Sequence, residues 1–332
     1  MQHIASVEVT TGARLHCGLL ANPVQGRSFG GVGLMVDQPG FILRASLAEQ
    51  DEFAGPPEWV ERARLTLHGY RERCPTDRQP PPVRIQILRG LPPHVGLGSG
   101  TQLGMAVAHS LALLTGEEVS AAALAVRAGR GGRSSLGIHG FFHGGLLIES
   151  GKQAQDSLGP LASRVELPAA WRIVLIRPEA ASGLYGTAER SAFSTLPPMP
   201  AATTERLCKL VLLGLVPAAI EEDLEACGEA LYEIGRQVGE YFAPAQGGVY
   251  AHPLMARMVN RLRQAGVHGV GQTSWGPTLF ALCADDDAAA DVVSRLFQED
   301  QGETCEYRVV APLNSGARVA AIPGEIAPAA GG

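Results

Sequence analysis

No basic excess, no paired cysteine motif and no long apolar run occurs in this chain of 332 residues, and each absence removes a class of function. Lysine and arginine number 27 against 33 aspartate and glutamate, for a formal net charge of -6. Nonspecific nucleic-acid binding and adhesion to an anionic membrane both reward a basic surplus, so cationic residues here are expected to act locally. The six cysteines, Cys17, Cys74, Cys208, Cys227, Cys283 and Cys305, include no CxxC pair. That argues against a zinc cluster and a dense disulfide framework, and suits mostly buried thiols in a reducing compartment. Residues 1–12 lack a basic segment followed by an apolar one, and the best apolar run, Leu210 to Ile220, is too short to span a bilayer. The expected location is the cytoplasm. No internal repeat is present.

What the chain does have is enough apolar material, 45% of its residues, for one large or two medium domains, and two are expected. Strand-like alternation marks residues 6–9, 14–20, 41–47 and most clearly 83–87, where apolar and polar side chains alternate. A helix is predicted over 58–73, followed by a Pro-rich loop over 75–82. Leu103, Val107, Leu111 and Leu114 recur at the spacing of a helix lying on a sheet. A short helix over 120–128, a Gly/Arg/Ser-rich loop and strands at 145–149 and 171–176 complete an N-terminal domain of residues 1–178.

Composition then shifts to Pro, Ala, Ser and Thr, so residues 179–204 are expected to be a junction. A C-terminal domain of residues 205–323 follows. Ile220, Leu224, Cys227, Leu231, Ile234 and Val238 predict a long amphipathic helix. Helices over 253–265 and 286–297 and strands over 269–272, 278–283 and 306–310 suggest an α+β sandwich with split βαβ units. Residues 324–332 are expected to be a disordered tail.

The strongest local signal is the turn Pro92-Pro93-His94-Val95-Gly96-Leu97-Gly98-Ser99-Gly100-Thr101, between a strand and a helix. Glycine lets backbone approach a ligand closely, and a helix start adds unsatisfied N–H donors and a positive dipole end. Gly96, Leu97, Gly98, Ser99, Gly100 and Thr101 are therefore candidate phosphate-binding residues, the alternative being a plain glycine-rich turn.

This turn resembles the phosphate loop of the GHMP superfamily of small-molecule kinases, Pro-x-x-x-Gly-Leu-Gly-Ser-Ser, and matches it as far as Ser99. The resemblance implies an α+β, two-domain GHMP-type fold: an N-terminal domain like the second domain of ribosomal protein S5 and a ferredoxin-like C-terminal domain. Two departures bear on chemistry. The second loop serine is Gly100, and where family kinases carry Gly-Ile-Asp, with the Asp a catalytic base in many members, this chain has Gly137-Ile138-His139. Ordinary kinase chemistry loses its carboxylate.

The other motifs are similar to one branch of that superfamily, β-ribofuranosylaminobenzene 5′-phosphate synthase. They are Ala13-Arg14-Leu15-His16, Gly30-Gly31-Val32-Gly33-Leu34, Gly129-Arg130-Gly131-Gly132-Arg133-Ser134-Ser135-Leu136-Gly137-Ile138, the pair Gly186 and Glu189, and Gly271-Gln272-Thr273-Ser274-Trp275-Gly276-Pro277-Thr278. The resemblance implies transfer of ribosyl phosphate from phosphoribosyl pyrophosphate to 4-hydroxybenzoate or 4-aminobenzoate, with loss of carbon dioxide and pyrophosphate, early in tetrahydromethanopterin biosynthesis. Departure of pyrophosphate calls for N–H donors, a divalent cation, here Mg²⁺, and arginines. Homodimers are frequent in the superfamily, so a homodimer is a further implication.

Arg14 and His16 stand two apart on a strand and should share a face, where a buried arginine meets either a substrate anion or an acidic residue of the chain. Arg130 and Arg133, among the small residues Gly131, Gly132, Ser134 and Ser135, suit bidentate phosphate contacts; their alternative is a solvated loop. Gln272, Ser274 and Trp275 lie in a segment implied to pack on the phosphate loop, with Trp275 either stacked on the benzoate ring or a core aromatic. His139 and His143 are read as structural histidines at the entrance to a strand rather than as ligands. The metal ligands are left unassigned, with Asp37 and Glu149 as candidates. Two rival readings stand beside the transferase: an ATP-dependent kinase using His139, and a catalytically silent metabolite-binding protein.

Overall fold

In a computed structural model the description covers residues 4–21, 26–153, 158–179, 181, 196–299 and 304–323. Gly186, Glu189 and residues 324–332 lie outside it. Among the described residues three sheets carry the fold. The first has the order β13-β1-β4-β6-β5, built from β1 (Ile4–Thr10), β4 (Ile42–Leu47), β5 (Glu52–Ala54), β6 (Val83–Arg89) and β13 (Arg318–Pro323). The second joins β2 (Ala13–Leu19), β3 (Gly31–Val36), β7 (Leu146–Glu149) and β8 (Leu161–Val165) in that order.

The chain crosses from the first sheet to the second at Thr11 and Gly12. Thr11 is buried, and its hydroxyl accepts from the Phe41 amide at 3.0 Å, which ties the corner down. A Cβ on Gly12 would stand 2.2 Å from the Val36 carbonyl oxygen, so only glycine fits the crossing.

Helix α1 (Pro57–Arg73) flanks α2 (Ser99–Leu114), which runs between the sheets. The expected stripe is buried, with Leu103, Val107 and Leu111 nearly inaccessible, each such side chain contributing roughly 1.5–3 kcal/mol. The opposite face is buried too: Met105, Ala106, Ala108 and Ala112 make α2 a central helix rather than a surface one. Helix α3 (Ala121–Arg127) starts at Ser120, whose hydroxyl caps the Ala123 amide. Residues 136–143, expected to lead into a strand, form instead helix α4 (Leu136–His143), because apolar Leu136, Ile138 and Phe141 all find buried places there.

The third sheet corrects the expected domain organisation. Strand β9 (Arg172–Pro178), expected to close the first domain, lies between β11 (Leu279–Cys283) and β12 (Cys305–Val310), with β10 (Val270–Gln272) at the edge. Its uninterrupted apolar run suits a central strand covered on both faces. Ile173, Leu175, Phe280 and Leu282 turn toward the main core, while Val174, Ile176, Leu279 and Ala281 join a second core. That second core is closed by α8 (Pro253–Gln264) and α9 (Asp286–Glu299). Counting β9 as the first strand gives a β-helices-β-β-α-β unit with all pairings antiparallel, the split βαβ arrangement expected. The chain then returns to the first sheet through β13.

Between β9 and β10 run α5 (Ala201–Leu210), a π-helical turn (Val211–Leu215), α6 (Val216–Ile220) and α7 (Leu224–Gln246). The long amphipathic helix begins at Leu224, not Ile220, because Asp223 caps it by accepting from the Ala226 amide at 2.9 Å. Its Cys227, Leu231, Ile234 and Val238 enter the main core, so one apolar body joins the two halves. No helix among the described residues is long and apolar enough to cross a membrane. All six cysteines are free, and four of them are buried.

Candidate active site

Three segments distant in sequence meet at β2. The Arg14 amide donates to the Leu97 carbonyl at 3.0 Å, binding the strand to the glycine turn. The His16 amide donates to Thr273 Oγ1 at 2.9 Å, and that hydroxyl donates to the Gly96 carbonyl at 3.0 Å. The Ser274 amide returns to the His16 carbonyl at 3.0 Å, and Thr278 Oγ1 donates to the Val95 carbonyl at 2.8 Å. At the closest point two backbones touch: a Cβ on Gly276 would lie 2.4 Å from Gly96 Cα. The C-terminal Thr273–Thr278 segment therefore packs on the glycine turn, as implied by its motif.

Above this junction opens a cavity of about 490 Å³, between β2, the 129–134 loop and α7. Arg14 and His16 share its wall, as their spacing on a strand requires, and Arg130, Arg133 and Ser134 face them from the loop. Burial, then the charges of Arg14 and Arg133, push the His16 imidazole down to about 3, so it is neutral at ordinary pH. Burial and the like charge of Arg62 lower the pKa of Arg130. Trp275 also lines the cavity, 4.3 Å from the Phe242 ring; it is 4% exposed, so it is both core residue and wall.

The glycine turn stands behind these arginines. Gly98 adopts φ +71°, and its missing Cβ faces Arg14, whose Cβ would be 3.2 Å away; Gly100 faces Arg130. Helix α2 starts there with no side-chain cap. Thr101 is the member of the turn that reaches the cavity wall, while Leu97 and Ser99 are buried. Gln272 and Ser274 also line the cavity, whereas Ser135 takes a supporting role. Gln272 spends its amide on backbone, accepting from Ala251 N at 2.8 Å and donating to Ser274 O at 3.0 Å. Ser135 is fully buried: its hydroxyl accepts from Gly159 N at 2.8 Å and its amide donates to Glu149 at 2.5 Å.

Glu149 is itself buried, and burial raises its carboxyl to about 8 despite the Ser135 amide, the Ser134 hydroxyl and the nearby Arg14 charge. It holds the arginine loop from below. Lys152 Nζ clasps the same loop by donating to Gly131 O at 2.5 Å. Asp37 Oδ1 accepts from the Ala311 amide at 2.9 Å. His139 does not face the cavity; its Nε2 donates to Gly159 O at 2.7 Å, and its ring lies 6.4 Å from that of His143. Among the described residues no group of three histidine, cysteine or acidic side chains is placed to hold a metal ion.

Sequence reading did not single out the far wall, formed by Phe29, Tyr250 and the Gly235–Phe242 part of α7. A signal existed. Glycine costs about 1 kcal/mol against alanine inside a helix, yet α7 keeps Gly228, Gly235 and Gly239. A Cβ on Gly239 would stand 2.4 Å from the Val249 carbonyl oxygen, so the glycine admits the strand of chain that carries Tyr250 into the wall.

The chain matches the family described as GHMP kinases N terminal domain over residues 62–145 and that described as GHMP kinases C terminal over 215–300. Its fold is similar to that of homoserine kinase from Cytophaga hutchinsonii, with TM-score 0.65, 18% identity and coverage of 95% of this chain and 97% of the other. Mevalonate diphosphate decarboxylase from Staphylococcus aureus gives TM-score 0.65 at 13% identity, covering 96% and 98%. These likenesses bear on fold and establish the two-unit GHMP architecture. In sequence, the chain is 28% identical over 326 residues to beta-ribofuranosylphenol 5′-phosphate synthase of Archaeoglobus fulgidus, covering 94% of this chain and 99% of the relative. The enzyme of the same name from Methanothermobacter thermautotrophicus is 30% identical over 299 residues, 82% of this chain and 88% of the relative. With that identity over most of both chains, on the fold just described, the chain belongs to the β-ribofuranosylphenol 5′-phosphate synthase family.

Proposed function

We propose that this chain transfers ribosyl phosphate from phosphoribosyl pyrophosphate to 4-hydroxybenzoate, with 4-aminobenzoate as the alternative acceptor, and releases pyrophosphate and carbon dioxide. The observation that carries the reading is the convergence of Arg14, Arg130 and Arg133 with a neutral His16 on one cavity that also has an aromatic wall. Such a cavity suits a donor with two phosphate groups and a flat carboxylate acceptor. The phenol in the relatives' name favours the hydroxyl-bearing acceptor.

In the proposed step the bond from ribose C1 to the diphosphate oxygen breaks and its electron pair leaves with pyrophosphate. The acceptor ring carbon bearing the carboxylate, para to the hydroxyl, forms the new bond to C1. The carbon–carboxylate bond then breaks, its electrons restore the aromatic ring, and carbon dioxide departs. Arginines neutralise charge growing on the leaving group without reorganising at that moment. No base strong enough to deprotonate an alcohol is needed, which agrees with a His139 turned away and bonded to Gly159.

Magnesium fits this reading as an ion carried by the diphosphate. The donor set does not suit a protein-held ion, since Asp37 and Glu149 bind backbone amides elsewhere and the described cavity wall offers no carboxylate. No step above is routed through it. Carboxyl-labelled 4-hydroxybenzoate supplied with phosphoribosyl pyrophosphate and magnesium should yield labelled carbon dioxide and pyrophosphate in equal amounts, and ATP with small alcohols should yield no ADP above background. ADP formation with both benzoates intact would return the chain to the kinases; binding without any product would make it a silent relative.

A further inference from the structure

The Arg130 side chain lies along the first turns of α2 in room left by two glycines. A Cβ on Gly104 would stand 2.8 Å from Arg130 Nε and 3.4 Å from its Cγ, and one on Gly100 would stand 3.4 Å from Nη1. Both glycines are in a helix whose neighbours Ala106, Ala108 and Ala112 are the better helix former, so local propensity does not explain them. Arg130 Nε is buried and has no hydrogen-bond partner among the described residues. Among the described residues, two neighbouring charges are of its own sign: Arg62 acts on it from α1, and Arg14 lies beside Gly98 at the same helix start. A partly buried guanidinium with a buried, unpartnered Nε, set beside other cations and an uncapped helix N-terminus, is unfavourable unless an anion arrives.

We propose that Gly104, assisted by Gly100, is a positioning residue that keeps open the channel in which Arg130 lies, so that its guanidinium meets the diphosphate of the donor. The inference rests on the transferase reading for the identity of the anion. Its mechanism is steric: alanine at 104 drives Arg130 out of its channel, and a flexible side chain yields before the helix does.

Pyrophosphate binding, followed by calorimetry on the purified protein, tests this without any turnover. Gly104→Ala should weaken pyrophosphate roughly tenfold or more, the effect of losing a charge-assisted contact. Its melting temperature should be unchanged or higher, because alanine replaces glycine inside a helix. Arg130→Ala should show a similar loss, and the double variant should bind no worse than Arg130→Ala alone. Parental affinity in Gly104→Ala, or a second full loss when it is added to Arg130→Ala, overturns the proposal. If Gly104→Ala does not fold, the same cycle with Gly100→Ala decides, with a smaller loss expected from its looser 3.4 Å contact and additivity again fatal. Coupled losses of pyrophosphate affinity in a protein that makes no product from phosphoribosyl pyrophosphate would keep this inference and remove the transferase reading.

Discussion

Arg14 shows what a single side chain is expected to do in this cavity. It shares a wall with His16 and faces Arg133 across the cavity, where a planar fork holds a carboxylate or phosphate by two bonds and an ammonium cannot. A charge-assisted bond contributes about 1.5–3 kcal/mol, so Arg14→Lys should lower kcat/KM by more than tenfold. Near-parental kinetics in the lysine variant would move Arg14 out of the reaction. Glu149 makes a second residue-scale expectation, with an opposite sense to most buried carboxylates. Its folded pKa, about 8, lies above the ordinary 4.5, so the protonated form is the one the fold accommodates. Stability from that form is full below the ordinary value and is lost as pH rises through about 8, at no more than about 1.4 kcal/mol per pH unit. Glu149→Gln should flatten this slope, and urea unfolding from pH 5 to 8 should show the parent losing ground to the variant. Parallel profiles would mean that Glu149 is ionised in the fold.

At the scale of elements, the start of α2 and the start of α7 test different physics. Gly98→Val places a branched side chain at φ +71° and against Arg14, whereas Ser99→Ala removes one hydroxyl. Valine should therefore do far more damage to phosphoribosyl pyrophosphate affinity measured by calorimetry, and equal small losses would remove the turn from the site. Asp223 caps α7 from an exposed position, and Asp223→Ala should cost about 0.5–2 kcal/mol in chemical denaturation while leaving kcat intact. The start of α2 was legible in advance because a glycine turn before a helix is local chemistry; the start of α7 reads from Ile220, since apolar spacing alone does not show which residue caps it. The α4 helix was not legible: Phe141-Phe142 before Gly144-Gly145 reads equally well as a strand entrance until the neighbours that bury Phe141 are known.

For the whole molecule, the joint between the halves is narrow and polar at the site. Thr273 is fully buried, and its one hydroxyl serves both the His16 amide and the Gly96 carbonyl. Thr273→Val keeps the shape and strands both partners, so a loss of about 1–3 kcal/mol or more is expected on urea unfolding. Because Arg14 and His16 ride on the strand held there, activity should fall with stability. An unchanged midpoint would show that the two halves meet through their common apolar core alone.

Sequence by itself determined the parts of this protein whose physics is local: the glycine turn before a helix, the pairing of Arg14 with His16 on one strand face, the arginine loop, and the α+β alternation of the second half. It also carried the family motifs. Tertiary structure alone decided where β9 belongs, since a strand apolar on both faces is satisfied in any sheet with two covers. It decided as well that Ser135 supports the site from behind and that Gln272, on the cavity wall, has its amide engaged with backbone, because a polar side chain looks the same in sequence whether a ligand or a distant backbone amide takes its hydrogen bond. The same holds for the far wall. Gly239 stands out in a helix, but that it makes way for Val249 and so brings Tyr250 to the cavity depends on a contact between residues that only folding brings together.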